Sequence, residues 1–217
     1  MSREPDYASY TREHYRDPAV AEAYAHRLRR SPVEWGIGRL ERAGVAAGLR
    51  ALGATRIGLV VDVPAGTGKL TEWLSGRADA YLALDVSTAM LAELPEPSWR
   101  AQADATQLPL ADNSVDCVVM LRLLHRVPDA VADRMVHDAL RVARTGLVVS
   151  YAGAPALAPL HRALQRVSGR GGTLTTPRSP AEFATLAARA GGQPVFDRSI
   201  SAGITAERIC AIRPQPQ

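Results

Sequence analysis

Two short segments constrain this chain more than anything else in it: VVDVPAGTGKL at residues 60 to 70, and LALDVSTAML at residues 82 to 91. An apolar, β-branched run ends in Asp62, the chain turns on Gly66 and Gly68, and a helical pattern starts at Lys69. Glycine suits that turn because it adopts dihedrals that a Cβ forbids and lets backbone N–H groups come close to a ligand. A second apolar run, Tyr81 to Leu84, then delivers Asp85 about 20 residues after the loop, where an acid accepts from ribose hydroxyls. The pair predicts a βαβ unit that binds a nucleoside.

The loop excludes one common ligand class and weakens another. A phosphate-binding loop of the type G-x-x-x-x-G-K-[ST] needs a glycine where this chain has Val63 and a hydroxyl where it has Leu70. The dinucleotide pattern G-x-G-x-x-G has its first two glycines in Gly66 and Gly68, but Thr71 stands at the third. NAD stays open as an alternative on this reading.

Asp62-x-x-x-Gly66-x-Gly68, then Asp85-x-Ser87-x-x-Met90-Leu91, then Asp104 and the LPL and SVD stretches together resemble a class I S-adenosylmethionine (SAM) dependent methyltransferase. The chain is most similar to the small-molecule branch that includes ubiquinone and menaquinone C-methyltransferases. The likeness spans residues 10 to 151 closely and departs at Pro64-Ala65, where the family often has glycine or cysteine. It implies SAM as cofactor and a small organic acceptor. Asp62 would fix the loop or reach the methionine amino group, with Ala65, Gly66 and Gly68 passing close to the methionine and ribose. Asp85, followed by Val86, would take the ribose hydroxyls, and as an ordinary residue Asp85 would cap the helix after it. Asp104 would accept from the adenine amino group and Ala105 would offer its amide, whereas Asp104 is otherwise a strand-end turn acid. Met90 would cover the adenine or simply fill core. Leu121 and Arg122 would lend main-chain atoms beside the methionine.

Alternating strand and helix patterns over Ile57–Val63, Lys69–Leu74, Tyr81–Leu84, Thr88–Leu94, Trp99–Ala103, Val115–Leu121, Ala130–Val142 and Leu147–Tyr151 predict a doubly wound, mostly parallel α/β sheet. The resemblance makes it a seven-stranded Rossmann-like sheet with an antiparallel last strand. Residues 1–55 read as an N-terminal helical cap, with Asp17-Pro18 as a helix start. Residues 56–217 read as the SAM-binding domain, with a lid over about 152–180 that holds a short helix, Leu157 to Val167, and Gly169, Gly171 and Gly172. Its Leu157, Leu160 and Leu164 would line an acceptor pocket or pack on the sheet. A helix at Pro180–Arg189 and runs at Val195–Ser201 and Arg208–Ile212 complete the chain, the short link between the last two favouring a hairpin.

For catalysis, His125 in RLLHRVPD is the first candidate for a general base, set against a capping or packing role beside the next helix. His14 and Tyr15 come second. The relatives' N-terminal helix folds over the cofactor, so that Tyr15 and Tyr24 would close the pocket, unless they are buried structural tyrosines. His161 falls in the lid.

Composition bounds the rest. The 217 residues suit one α/β domain, and no apolar run approaches the roughly 18 residues of a membrane span. The start, Met1-Ser-Arg-Glu-Pro-Asp, is unlike a signal peptide, so a cytoplasmic protein is expected. Cys117 and Cys210 sit in apolar runs and read as reduced core residues, with no metal site between them. The formal charge of +4 is almost all arginine, with Lys69 the one lysine, and without aromatic interleaving it does not point to nucleic acid. Arg27, Arg29 and Arg30 read as a solvated helix face, and a homodimer is left open. The competing function is a SAM-binding partner or regulatory subunit that methylates nothing.

Overall fold

Seven strands hydrogen-bond in the order β3-β2-β1-β4-β5-β7-β6. The computed structural model describes residues 15–54, 56–95, 99–153, 176–201 and 206–215. Helices α1 (Pro18–Arg30) and α2 (Pro32–Leu52) precede β1 (Ile57–Asp62), α3 (Thr71–Ser75), β2 (Ala78–Asp85), α4 (Thr88–Ala92) and β3 (Trp99–Gln102). Then come β4 (Val115–Met120), a single 3₁₀ turn (Leu124–Arg126), α5 (Asp129–Val142), β5 (Ala143–Ala152), α6 (Pro180–Arg189), β6 (Gly192–Ser199) and β7 (Glu207–Pro214). His14, the expected lid helix Leu157–Val167, its glycines and His161 lie outside the described residues, as does the link between β6 and β7.

β1, β2, β3, β4 and β5 pair in parallel, and β7 enters antiparallel between β5 and β6. Alternation in the strands sorts side chains to two cores, because successive Cβ atoms point to opposite faces. Val61, Val118 and Met120 face α5 and α6, while Val60, Cys117 and Val119 face α2 and α3. Both cysteines are buried and free. No described helix is long and apolar enough to cross a membrane.

Local chemistry sets the helix ends. Asp17 caps α1 by accepting from the Ala19 amide, Ser31 caps α2 by accepting from Glu34, and each is followed by proline at the first helical position. Ser179 and Glu182 form a reciprocal capping box on α6. Gly53, at φ 80°, ends α2 in the left-handed region.

α2 packs on the sheet itself. Its Val45, Leu49 and Leu52 share a core with β1, β4, β5 and β7, each contributing roughly 1.5 to 3 kcal/mol of apolar burial. Gly48 allows this approach, since a Cβ there would stand 3.1 Å from Val148. Over the strand ends, Tyr15, Tyr24 and Leu28 from α1 and the residues just before it border the cavity together with Glu41 of α2.

β2, β5, β6 and β7 each run longer than their sequence patterns. β6 begins at Gly192 and includes Pro194, which an edge strand tolerates because one row of its N–H groups has no partner. β5 begins at Ala143 and passes Gly146, where a Cβ would collide with the backbone of Ile212.

Candidate cofactor and acceptor cavity

Strand order reverses between β1 and β4, and an open sheet of this kind binds ligands beyond the carboxyl ends of its strands at that point. A cavity of about 160 Å³ opens there. Asp62 ends β1, Asp85 ends β2, and Asp104 follows β3, so the strands themselves aim three carboxylates at it.

The glycine turn forms its floor. Val63 donates to Val119 O and Ala65 to Leu84 O, which stitches the loop to both neighbouring strands at 2.9 Å each. Gly66 has φ 56° and its missing Cβ would meet nothing within 4 Å, so open space lies over that backbone. Its N–H donates to Asp85 Oδ2 at 2.8 Å. Gly68 differs: it has φ 87°, it is absent from the cavity wall, and a Cβ would fall 2.8 Å from Pro95 and 2.9 Å from Leu94. The resemblance implied that both glycines pass close to the ligand; Gly66 borders the cavity, whereas Gly68 packs behind the loop against Leu94 and Pro95.

Asp85 is 5% exposed and accepts from Gly66 through one oxygen and from the Ser87 amide, at 2.9 Å, through the other. Ser87, rather than Asp85, caps α4 by accepting from Met90 N at 3.1 Å, and its hydroxyl donates to the Tyr15 carbonyl. Burial raises the Asp85 pKa against the backbone hydrogen bonds that lower it. Asp62 is buried too, and its Oδ2 accepts from the Tyr81 hydroxyl at 3.1 Å, which itself lies 2.9 Å from Thr71 Oγ1. Burial pushes Asp62 up to about 7, opposed by the Tyr81 hydrogen bond and reinforced by the Asp85 charge.

Of the other residues singled out in the sequence, Ala65, Val86, Met90, Asp104, Ala105, Leu121 and Arg122 all line the cavity. Asp104 Oδ1 accepts from both the amide and the hydroxyl of Thr106, at 2.9 and 2.8 Å, so it closes a turn while facing the cavity. Arg122 sits at φ 57° and donates its amide to Ser150 Oγ at 2.8 Å. Tyr15 and Tyr24 wall the cap side, ring centroids 6.2 Å apart and edge to face.

His125 is not in the wall, which is formed there by Leu123, Arg126 and Val127. Burial and the charges of Arg126, Arg122 and Arg178 lower His125 to about 4. The loop that carries it is fixed by Arg178, whose guanidinium donates to the carbonyls of Leu124 and Val127 and pairs with Asp129. His125 therefore reads as a neutral packing residue at ordinary pH, the alternative its neighbourhood to α5 had left open.

Sequence reasoning missed the charged end of the cavity. Glu41 is fully buried on α2, with Lys69 Nζ 2.6 Å from one oxygen and Arg122 Nε 2.5 Å from the other. Glu34 joins the cluster at 3.5 Å from Lys69 and 3.3 Å from Arg122. One signal was available: Glu41 falls on the stripe of α2 that also carries Val45, Gly48 and Leu49, where an unpaired charge would be costly. Val131 and Met135 of α5, which also line the cavity, carry no signal beyond helical periodicity.

Residues 61–150 match the model of a methyltransferase domain. The chain is 38% identical over 126 residues to demethylmenaquinone methyltransferase of Beutenbergia cavernae, across 55% of this chain and 51% of that protein. It is also 38% identical over 91 residues to an uncharacterized methyltransferase of Mycobacterium tuberculosis, across 40% of this chain and 36% of that one. The chain thus spans about half the length, or less, of these curated relatives. Magnesium protoporphyrin IX methyltransferase from Synechocystis, with bound S-adenosylhomocysteine (SAH), shares the fold at a TM-score of 0.75 and 20% identity, across 96% of this chain and 100% of that one. The chain is thus similar to methyltransferases over its central part, where residues 61–150 match the methyltransferase domain and the two curated relatives are each 38% identical.

Proposed function

We propose that this protein transfers the methyl group of SAM to a small organic acceptor by in-line displacement. The observation that carries the reading is the Gly66–Asp85 contact at a cavity on the strand-order reversal, within a matched methyltransferase domain. When bound, SAM supplies a methyl group on a sulfonium whose leaving group is a neutral thioether.

The residues present fit that ligand. Asp85 spends acceptor capacity of each oxygen on one amide and retains the remaining lone pairs for ribose hydroxyls. The open backbone over Gly66 admits a close ligand, Met90, Ala105, Val131 and Met135 provide an apolar slot for the base, and Asp104 stands beside it for the exocyclic amine. Asp62, pushed up to about 7 by burial, is drawn into its charged form as the counter-charge for an ammonium or sulfonium. Positioning of this kind supplies roughly 7 to 11 kcal/mol of barrier reduction in favourable systems. Tyr15, Tyr24 and Leu28 close the cap side and keep water from the reacting atoms.

The acceptor is a small molecule and the setting is the cytoplasm, a reading supported by two buried thiols kept as free cysteines. Incubation with radiolabelled SAM and a metabolite extract tests the activity. Label moving into an extract component is the expected result; tight SAH binding with no transfer to any fraction would leave a SAM-binding regulatory subunit, and tight NAD binding with no response to SAH would remove the cofactor assignment.

A further inference from the structure

Every exposed residue of α2 is either apolar or an arginine. The helix contains no serine, threonine, asparagine or glutamine, and its two acids, Glu34 and Glu41, both turn inward to Lys69 and Arg122. Solvent therefore meets Val33 at 70% exposure, Trp35 at 61% and Leu40 at 38%, with open space beside Gly36. A surface helix ordinarily turns its charged and polar residues outward. Here the carboxylates are inside and three large apolar side chains are outside.

The arginines on this side are arranged with tryptophans. Trp35 and Arg39 of α2 stand one helical turn apart, and so do Trp73 of α3 and Arg77 just after it; each guanidinium lies over its indole, 5.1 and 4.1 Å from the ring centroid. Arg42 joins both pairs along a shallow groove between the two elements, and the wall of that groove contains no acid. Among the described residues no carboxylate pairs with Arg39, Arg42 or Arg77.

We propose that this face of α2 and α3 docks on the surface of an anionic lipid bilayer. The contact is peripheral, it stands independently of the methyl-transfer reading, and it requires no spanning helix. Indole and guanidinium both suit the boundary between headgroups and acyl chains, because each combines a flat apolar body with polar N–H groups. The arginines meet lipid phosphates as charged donors. Val33 and Leu40 supply aliphatic surface for the acyl boundary, which a nucleic acid would leave unused, since its bases and phosphates engage only tryptophan and arginine. A second copy of the chain is a poorer match: a two-fold contact sets one patch against itself and brings arginines together with no acid between them. The formal charge of +4 on the whole chain adds an attraction of the same sign.

The test uses the full chain with two vesicle preparations, phosphatidylcholine alone and phosphatidylcholine mixed with phosphatidylglycerol, read by co-sedimentation and by tryptophan emission. The wild type should bind the mixed vesicles at least about tenfold more tightly than the neutral ones, as expected for several arginines at an anionic surface. That preference should shrink toward 1 M salt, where charges are screened beyond about 3 Å. Arg39→Gln and Arg77→Gln should each weaken binding to the mixed vesicles about fivefold. Arg134→Gln and Arg189→Gln, on α5 and α6 across the sheet, remove the same charge and should leave binding nearly unchanged. Trp35→Ala should keep the salt dependence and lose most of the shift of emission to shorter wavelength. Urea midpoints close to wild type identify the variants that are folded. A wild type that does not distinguish the two vesicles overturns the proposal, and that comparison needs no variant. Equal losses in all four arginine variants would assign the attraction to overall charge and overturn it too. So would tighter binding of a single-stranded oligonucleotide than of mixed vesicles at one salt concentration, or a dimer in solution that buries Trp35. Absence of vesicle binding leaves the methyl-transfer reading in place, and absence of methyl transfer leaves the docking face.

Discussion

The amide of Gly66 donates to the carboxylate of Asp85 across 2.8 Å, joining the turn after β1 to the end of β2. One acid thus holds the shape of the loop and faces the cavity that the loop borders.

Asp85→Ala should therefore weaken SAH binding by about 1 to 3 kcal/mol, the usual cost of losing hydrogen bonds to a charged group. Titration calorimetry measures it. Affinity equal to wild type would take the ribose contact away from Asp85.

Asp62 should make ligand binding and stability depend on pH. Its folded pKa, about 7, lies above the ordinary value of 3.8, so between these values the folded protein holds a proton that the unfolded chain releases. The contribution to stability is full below about 4 and is lost as pH rises to about 7. Glu207, raised by burial to about 7, adds in the same direction, and His125, lowered to about 4, opposes both between 4 and 6.5. Asp62→Asn should flatten the fall in melting temperature between pH 5 and 8. A cationic ligand draws Asp62 into its charged form, so SAM binding at pH 7 should release protons, read as a dependence of binding enthalpy on buffer ionisation. The same release in Asp62→Asn would reassign it.

Gly66→Ala and Gly68→Ala should separate binding from folding. Both place a Cβ at positive φ, at roughly 1 to 2 kcal/mol. Only Gly68→Ala adds a collision, with Leu94 and Pro95, so it should unfold at the lower urea concentration. Gly66→Ala fills the open space over the loop and should lose more SAH affinity. A reversed order of the two effects would contradict the placement of the ligand over Gly66.

His125→Ala should leave the rate profile between pH 6 and 9 unchanged in shape, with turnover within about threefold of wild type. A histidine near pKa 4 has no titration in that range and is a weak proton acceptor in it. A limb of the profile that vanishes with His125 would restore it as the base.

Much of the cavity's strand-end wall was legible because its signals are local. Asp62, Asp85 and Asp104 stand where apolar runs stop, and a run that stops is a strand end in an alternating α/β chain. Asp85 against Ser87 as the cap of α4 was undecided at that level, since both residue types cap helices and the choice depends on where the Gly66 amide lies.

The acceptor side was not legible, because its chemistry depends on contacts between residues far apart in the chain. Glu41 meets Arg122 across 81 positions, and Tyr15 meets Arg126 across 111. Whether an arginine is neutralised by a carboxylate, or left free for a ligand, depends on which acid the fold carries to it. His125 shows the same limit: its residue type and place after β4 suit a base, and only burial among three arginines lowers its pKa.

The order of residues alone determined the sheet, the glycine turn and the acids at the strand ends, since these follow from periodicity and from the dihedrals that glycine permits. Tertiary structure alone decided that Gly68 packs, that Glu41 is paired, that His125 lies outside the cavity wall and that Arg126 borders it with its guanidinium on the Tyr15 hydroxyl. Charge and solvation are properties of a neighbourhood in space, and the neighbourhood exists only once α1, α2 and the loop after β4 have closed over the strand ends.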